Sequence, residues 1–467
     1  MIMKNKGWNK AVICLTACAV ACGAVSGCGN AKKTGDGGNI TISVGNWPKE
    51  NEEARLKIFE GYKAKMNEKY PNITIEPDTY DYNLETFIVR SASNQLPTLY
   101  RTWYTEINKV IGTGAAKDIT DIMKEKGFDK AMNPDVLSLV SKDGRIYATP
   151  QDGYAQGLFI NKKVFRDAGL VNSDGSVKIP STWEEVAEMG QTIREKTGKG
   201  GFIMPAKGNI GGWHFMNIAW SYGVKFMKET DGKYTQTFDT PECVAALQFV
   251  KDLKWKYNAI QDNALVDRAA MNELFATDKA GMYIADPPND DIITYLNMDK
   301  NNIVFARMPE GPKGRYTQMG GNVRMVASNA TDAQADAAFK WLEIVGEAPV
   351  LNEDSLKAME DTLKQRTADG LIVFDQVPFK MWVSEERNKQ ETTLRKKYLN
   401  VDPVDYEDYF SFKDVIICPE EPAATQELYT ILDSCIQEVL TNENADVSAI
   451  VKKAAQDFQN NHLNKLD

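Results

Sequence analysis

Six aromatic side chains stand where the chain leaves a strand or opens a helix: Trp47, Trp103, Tyr104, Tyr154, Trp213 and Trp220. Tyr80 and Asp81 follow a second strand in the same way. An aromatic plane packs against the C–H face of a sugar ring, while Asp, Asn, Gln and Arg pair with hydroxyls, so the set suits capture without covalent chemistry. Each indole serves equally well in core or interface packing, the usual fate of large aromatics.

Other chemistries find little support. The chain has 2 histidines, His214 and His462, and the second lies in a polar tail, which argues against a histidine triad or a zinc site of several histidines. No GxxxxGK[ST] loop and no GxGxxG after a strand is present. The 65 acidic residues offer many carboxylate pairs, but sequence gives no distances between them. The loop Asn172-Ser173-Asp174-Gly175-Ser176 alternates oxygen donors as calcium loops do, yet Trp183 occupies the place of the glutamate at the twelfth position. It reads as an Asp-Gly turn. No catalytic residue, metal or cofactor is assigned.

The elements that must position the aromatic set are α/β in pattern. Ile40, Ile42 and Val44 alternate as a strand. A helix from about Glu52 to Lys69 presents Leu56, Phe59, Tyr62 and Met66, and Ile73 and Ile75 form another strand. In an open parallel sheet, ligands lie beyond the carboxyl ends of the strands, which puts Trp47, Tyr80 to Tyr82 and Thr102-Trp103-Tyr104 in the favoured place. Ser181-Thr182-Trp183-Glu184-Glu185 is a capping box opening a helix with Trp183, Val186, Met189 or Gly190, and Ile193 on its apolar face. Thr240-Pro241 opens another. Strand signals recur at 145–149, 157–160, 281–285 and 303–305, and a last helix is expected over 447–458.

The amino terminus carries Lys4, Lys6 and Lys10 before an apolar run from Ala11 to Val25, the layout of an export signal. Val25-Ser26-Gly27-Cys28 resembles the lipobox of bacterial lipoproteins, which implies lipidation of Cys28 and anchoring by acyl chains. Residues 1–27 then form the signal and 28–39 a flexible tether. Removing 1–27 takes away three lysines and no acid, moving the formal net charge from −10 to −13, a poor surface for nucleic acid. More than four hundred residues remain, which favours two lobes. Of 7 cysteines, Cys14, Cys18 and Cys22 leave with the signal, and Cys243 and Cys435 fall on apolar helix faces.

Asp143-Gly144-Arg145-Ile146-Tyr147-Ala148-Thr149-Pro150, then Gly157 to Lys163 and Val164 to Leu170, is similar to the DGKxYGxP…LxYNKDLFKEAGL block of family 1 extracellular solute-binding proteins. Pro180 to Glu185 resembles that family's P-x-TWDE helix start, and Asn272 to Phe275 with Lys279 to Met282 resembles its FxxGKAAM segment. The resemblance implies a two-lobed α/β fold of the periplasmic-binding-protein type II kind, with hinge crossovers near 151–154 and 303–308. Lobes of 40–150 plus 309–360 and of 151–308 plus 361–467 follow from it. It implies a monomeric lipoprotein that hands an oligosaccharide to an ABC permease on the outer face of the cell membrane. Asp152 and Tyr154 would face the cleft. Asn322, after Gly320-Gly321, would lie near the ligand. Asp286 would replace an aromatic platform, since Ala285-Asp286-Pro287-Pro288 stands where the family often has Gly-x-Trp. The segment 380–422 matches nothing in the family and is expected to be an insertion that shapes the cleft. The alternatives are a cell-surface glycan-processing enzyme, or the same fold holding a peptide, a polyamine or another non-sugar solute.

Overall fold

The computed structural model describes residues 38–466 except 84 and 378. The export signal, Cys28 and most of the tether lie outside the described residues.

Two sheets carry the fold. The first has five strands in the order Ile73–Pro77, Ile40–Val44, Leu99–Trp103, Asn322–Val326 and Ala148–Pro150. Its first three strands are parallel, and Asn322–Val326 runs antiparallel to both of its neighbours. The helix Glu53–Lys69 crosses between the first two strands, burying Met66 and packing Leu56, Phe59 and Tyr62 on the core, as the periodicity requires. The second sheet runs Ile303–Ala306, Gly157–Asn161, Ala280–Ala285, Gly200–Phe202. Every residue of these four strands is buried, which explains their continuous apolar runs.

Each sheet has its own core. Ile42, Val44, Tyr100, Phe128, Phe339 and Trp341 belong to the first. Leu158, Ile160, Trp183, Phe202, Leu247 and Phe458 belong to the second. The fold is therefore α/β and two-lobed. The helix Trp183–Thr197 begins at Thr182, whose hydroxyl accepts from Glu185 N (3.2 Å), while Glu185 Oε2 reaches Ser181 N (2.5 Å). Thr240 caps Pro241–Trp255 in the same way, with proline at the first turn. The Asp174 carboxylate accepts from Ser176 N and Oγ, so the Asn172–Ser176 loop is a closed turn around Gly175 at φ +87°. Cys243, Cys418 and Cys435 are free thiols, the first and last buried.

A third, smaller sheet joins the two halves. The strand Gly314–Gly320 pairs with Tyr154–Ala155 on one side and with Val415–Pro419 on the other. Thr317 Oγ1 donates to Gln156 O (2.6 Å), Gln318 N donates to Asn217 Oδ1 (2.8 Å), and Tyr316 packs on the second core. The chain thus stays beside the second core through Gln318 and joins the first at Met319, beyond the 303–308 crossover expected from sequence. The unmatched segment returns to the first core at Met381 and Trp382, then supplies Val415–Pro419 to the joining sheet. Among the described residues, no helix is long and apolar enough to cross a membrane.

Candidate functional site

At the edge of the joining sheet marked by Tyr154, Gly320 and Pro419, a cavity of about 330 Å³ opens. Trp103 closes Leu99–Trp103 and stands half-buried at its wall, with Thr105 beside it. Gly321 and Asn322 contribute from the start of the next strand, and Tyr154 from the crossover. The opposite wall holds Asn209, Ile210 and Trp213 at the opening of helix Ile210–Tyr222. Arg268 lies at the first position of Arg268–Ala276, and Glu420 just past Val415–Pro419. Gln426 and Tyr429 come from helix Thr425–Thr441.

Small residues fix this wall. A Cβ on Gly212 would lie 2.4 Å from Tyr429 O, so only glycine lets Ile210–Tyr222 lie this close to Thr425–Thr441 and bring Trp213 beside Tyr429. Asp433 holds the helix start by accepting from Asn209 N and Gly212 N, both at 2.7 Å. At the crossover, a Cβ on Gly320 would lie 2.4 Å from Tyr154 Oη, and Gly321 takes φ +145° with Asp152 O close by. Asp152 Oδ1 accepts from Asn322 N and from its Nδ2, each at 2.9 Å, and Gln151 N donates to Asn322 O at 2.9 Å, which ties the two crossovers together. Burial raises the Asp152 carboxyl despite those bonds.

The polar groups converge on the aromatic ones. Tyr154 meets Trp213 edge-on at 6.1 Å between centroids, and the Arg268 guanidinium covers the Trp213 ring at 5.1 Å. Arg268 also pairs with Asp286 at 3.7 Å. Tyr429 accepts from Gln318 Nε2 (2.6 Å) and donates to Glu420 Oε1 (2.9 Å). Burial pushes the Glu420 carboxyl up to about 7. Hydrogen bonds from Tyr429 and the Trp213 indole partly offset that rise, and the charge of Glu106 adds to it. Glu421, outside the cavity, is likewise pushed up to about 7 by burial, with the Trp220 indole opposing. Burial holds His214, behind Trp213, well below the usual imidazole range.

Of the residues expected from sequence, Trp103, Tyr154, Trp213 and Asn322 line the cavity, and Asp152 and Asp286 buttress it through Asn322 and Arg268. The others lie elsewhere. Trp47 sits in the first core, 5.2 Å from Phe59 and 5.6 Å from Trp341, because the chain turns back at Asn46 (φ 57°). Tyr80 lies under the Arg90 guanidinium at 4.5 Å, and Asp81 holds Arg101 through both oxygens. Tyr104 is buried with its hydroxyl on Met381 Sδ (3.4 Å), and Trp220 is buried in the second core. Sequence reading missed Arg268, Glu420 and Tyr429. The rule that residues just past a strand matter would have found Glu420 had Val415–Pro419 been read as a strand. A second cavity, of about 200 Å³ between Asp375 and Lys396, has no aromatic lining and offers no comparable platform.

A family model described as bacterial extracellular solute-binding protein matches residues 49–349. The diacetylchitobiose binding protein DasA of Streptomyces coelicolor is 26% identical over 192 residues, 40% of this chain and 41% of that protein. The chain spans 41 to 60% of the length of such curated relatives. Among solved structures, the cyclic alpha-maltosyl-1,6-maltose binding protein of Arthrobacter globiformis aligns at a TM-score of 0.63 and 20% identity, covering 90% of this chain and 98% of that one. UgpB of Mycobacterium tuberculosis, in complex with glycerophosphocholine, aligns at 0.67 and 14% identity, covering the same shares. At these identities the structural likeness establishes the fold.

Proposed function

The chain belongs to the bacterial extracellular solute-binding protein family, and from that premise we propose that it captures a carbohydrate, probing it between two lobes and releasing it unchanged to an ABC permease. The observation that carries this reading is the cavity at the strand ends, where Trp103, Tyr154, Trp213 and Tyr429 surround the polar groups of Asn322, Arg268, Glu420 and Gln426. Rings offer apolar faces, and the polar groups between them match hydroxyls, each of which costs on the order of 1 to 3 kcal/mol if buried without a partner. At about 330 Å³ the cavity lies near the low end of the roughly 300 to 1,000 Å³ of small-molecule sites, which suits a short saccharide or one end of a longer one.

The lobes of this proposal are 40–150 plus 309–360 and 151–308 plus 361–467, with 309–320 lying at the joining sheet. A ligand bridging them stabilises the closed form by the difference in its affinity for the two states. The proposal includes export and lipid attachment at Cys28, supported by the Val25-Ser26-Gly27-Cys28 pattern, with the protein acting as a monomer at the outer face of the cell membrane.

Calorimetric titration of the chain from Gly29 onward with a glycan panel tests the reading. A binder saturates and returns each glycan intact. New reducing ends in the recovered ligand would replace capture with hydrolysis, and binding confined to peptides or polyamines would replace the carbohydrate.

A further inference from the structure

We propose, resting on the carbohydrate reading above, that Glu420 sets the charge class of the ligand: it accepts a hydrogen bond from a hydroxyl or amide N–H of an uncharged saccharide and disfavours saccharides bearing a carboxylate or phosphate. Two charged side chains line the cavity among the described residues, Arg268 and Glu420. They differ in what already occupies them. Arg268 is paired with Asp286 at 3.7 Å and lies over the Trp213 ring at 5.1 Å, so its charge is balanced before any ligand arrives. Glu420 forms no ion pair among the described residues.

Its partner is the Tyr429 hydroxyl at 2.9 Å, which is aimed at it because Gln318 Nε2 donates to the same oxygen from 2.6 Å. A carboxylate has about four acceptor positions, so Tyr429 and the nearby Trp213 indole leave acceptor capacity facing the cavity. The charge of Glu106 is felt at Glu420 as well, and its own cation, Lys109, stands 3.8 Å away on a more exposed stem. Above about pH 7, where this carboxyl is ionised, an anionic group entering here meets like charge with no unpaired cation among the lining residues, and an uncharged donor meets an acceptor in need of one.

The test uses the purified full chain at pH 8, above the Glu420 value of about 7, and a matched pair of probes. The neutral oligosaccharide that binds best in a panel of malto-, cello- and chito-oligosaccharides is compared with its derivative oxidised to a carboxylate at the terminal C6. The expected result is a derivative at least about 30-fold weaker than its parent, the scale of an uncompensated like-charge contact, with that gap narrowed about tenfold in Glu420→Gln. Glu421→Gln, equally buried but off the cavity, should leave the gap unchanged. Should Glu420→Gln fail to fold, raising the salt concentration with the unaltered protein must narrow the gap instead. Equal or tighter binding of the carboxylate, or a gap indifferent to both Glu420→Gln and salt, overturns the assignment and leaves the carbohydrate reading standing. Absence of binding by every neutral and acidic glycan overturns both.

Discussion

Two aromatic clusters of similar composition meet opposite fates in this molecule. Trp47, Phe59, Tyr62 and Trp341 pack ring against ring at 5.2 to 6.4 Å in the first core. Tyr154 and Trp213 pack as closely, at 6.1 Å, yet stand at a cavity that Tyr429 also lines. Each cluster has one member next to a strand, Trp47 after Ile40–Val44 and Tyr154 in Tyr154–Ala155, and the rest on helices, so position alone does not separate them. What differs is the polar company. The indole N–H groups of Trp47 and Trp341 are buried without a hydrogen-bond partner among the described residues, whereas Trp213 has Glu420 at its indole and Arg268 on its face. An aromatic cluster becomes a recognition surface when carboxylate, guanidinium and amide groups with spare capacity are held beside it, and otherwise it is packing.

Removing a ring from each cluster separates the two roles most strongly. Trp341 is fully buried, and Trp341→Ala should cost about 3 to 5 kcal/mol of stability, read as a lower urea midpoint, by lost burial and the cavity left behind. Ligand affinity of the folded fraction should stay within about twofold, since the first core lies off the ligand. A large affinity loss at unchanged stability would place Trp341 in the wrong class.

Trp103→Ala is the opposite case. Trp103 is half-buried, touches Tyr82 edge-on at 5.4 Å and lines the cavity. The expectation is about 10- to 100-fold weaker saccharide binding by calorimetry with a stability change within about 1 kcal/mol. Comparable losses on both axes would mean that the ring supports the wall more than it meets the ligand.

The same contrast explains what the sequence could reveal. Periodicity identified the βαβ unit, the capped helix Trp183–Thr197 and the apolar strands of the second sheet, because burial on one or two faces is written directly in residue order. Trp103, Tyr154 and Trp213 were readable because they follow strands or open helices, and Asn322 because Gly320-Gly321-Asn322 resembles the family's glycine turn. Trp47 satisfied the same rule and still went to the core, since its fate depends on the turn at Asn46 and on Trp341, nearly three hundred residues away. Glu420 escaped because Val415-Ile416-Ile417-Cys418-Pro419 pairs in parallel with a strand about a hundred residues earlier, and such partners leave no local trace. Asp81 marks the same limit: it follows a strand where a ligand-facing carboxylate is expected, but both its oxygens hold Arg101.

The smallest expected effect lies in protons, and it too divides the clusters. In the first, Glu347 and Asp361 act on Tyr62 by charge alone, while in the second Glu420 is hydrogen-bonded to the rings, faced by Tyr429 from its helix and Trp213 from another, with the charge of Glu106 felt as well. Glu420 is pushed up to about 7 in the folded protein, above its unfolded value of about 4.3, so the fold favours the protonated form. That contribution to stability is fully present below about pH 4.3 and is lost as pH rises through about 7. Ligand hydroxyls act in the opposite sense, because donors stabilise the carboxylate and lower its pKa. Binding should therefore release protons near pH 6.5, visible as a dependence of the calorimetric heat on buffer ionisation. Affinity should rise about fivefold between pH 6 and pH 8 if the ligand lowers the carboxyl by about one unit. Glu421→Gln should preserve both signals, since Glu421 is equally shifted but faces Trp220 away from the cavity, and Glu420→Gln should abolish them. Proton uptake on binding, or release that survives Glu420→Gln, would show that the ligand does not touch this carboxylate, and the polar company of the second cluster would then need a different reason to exist.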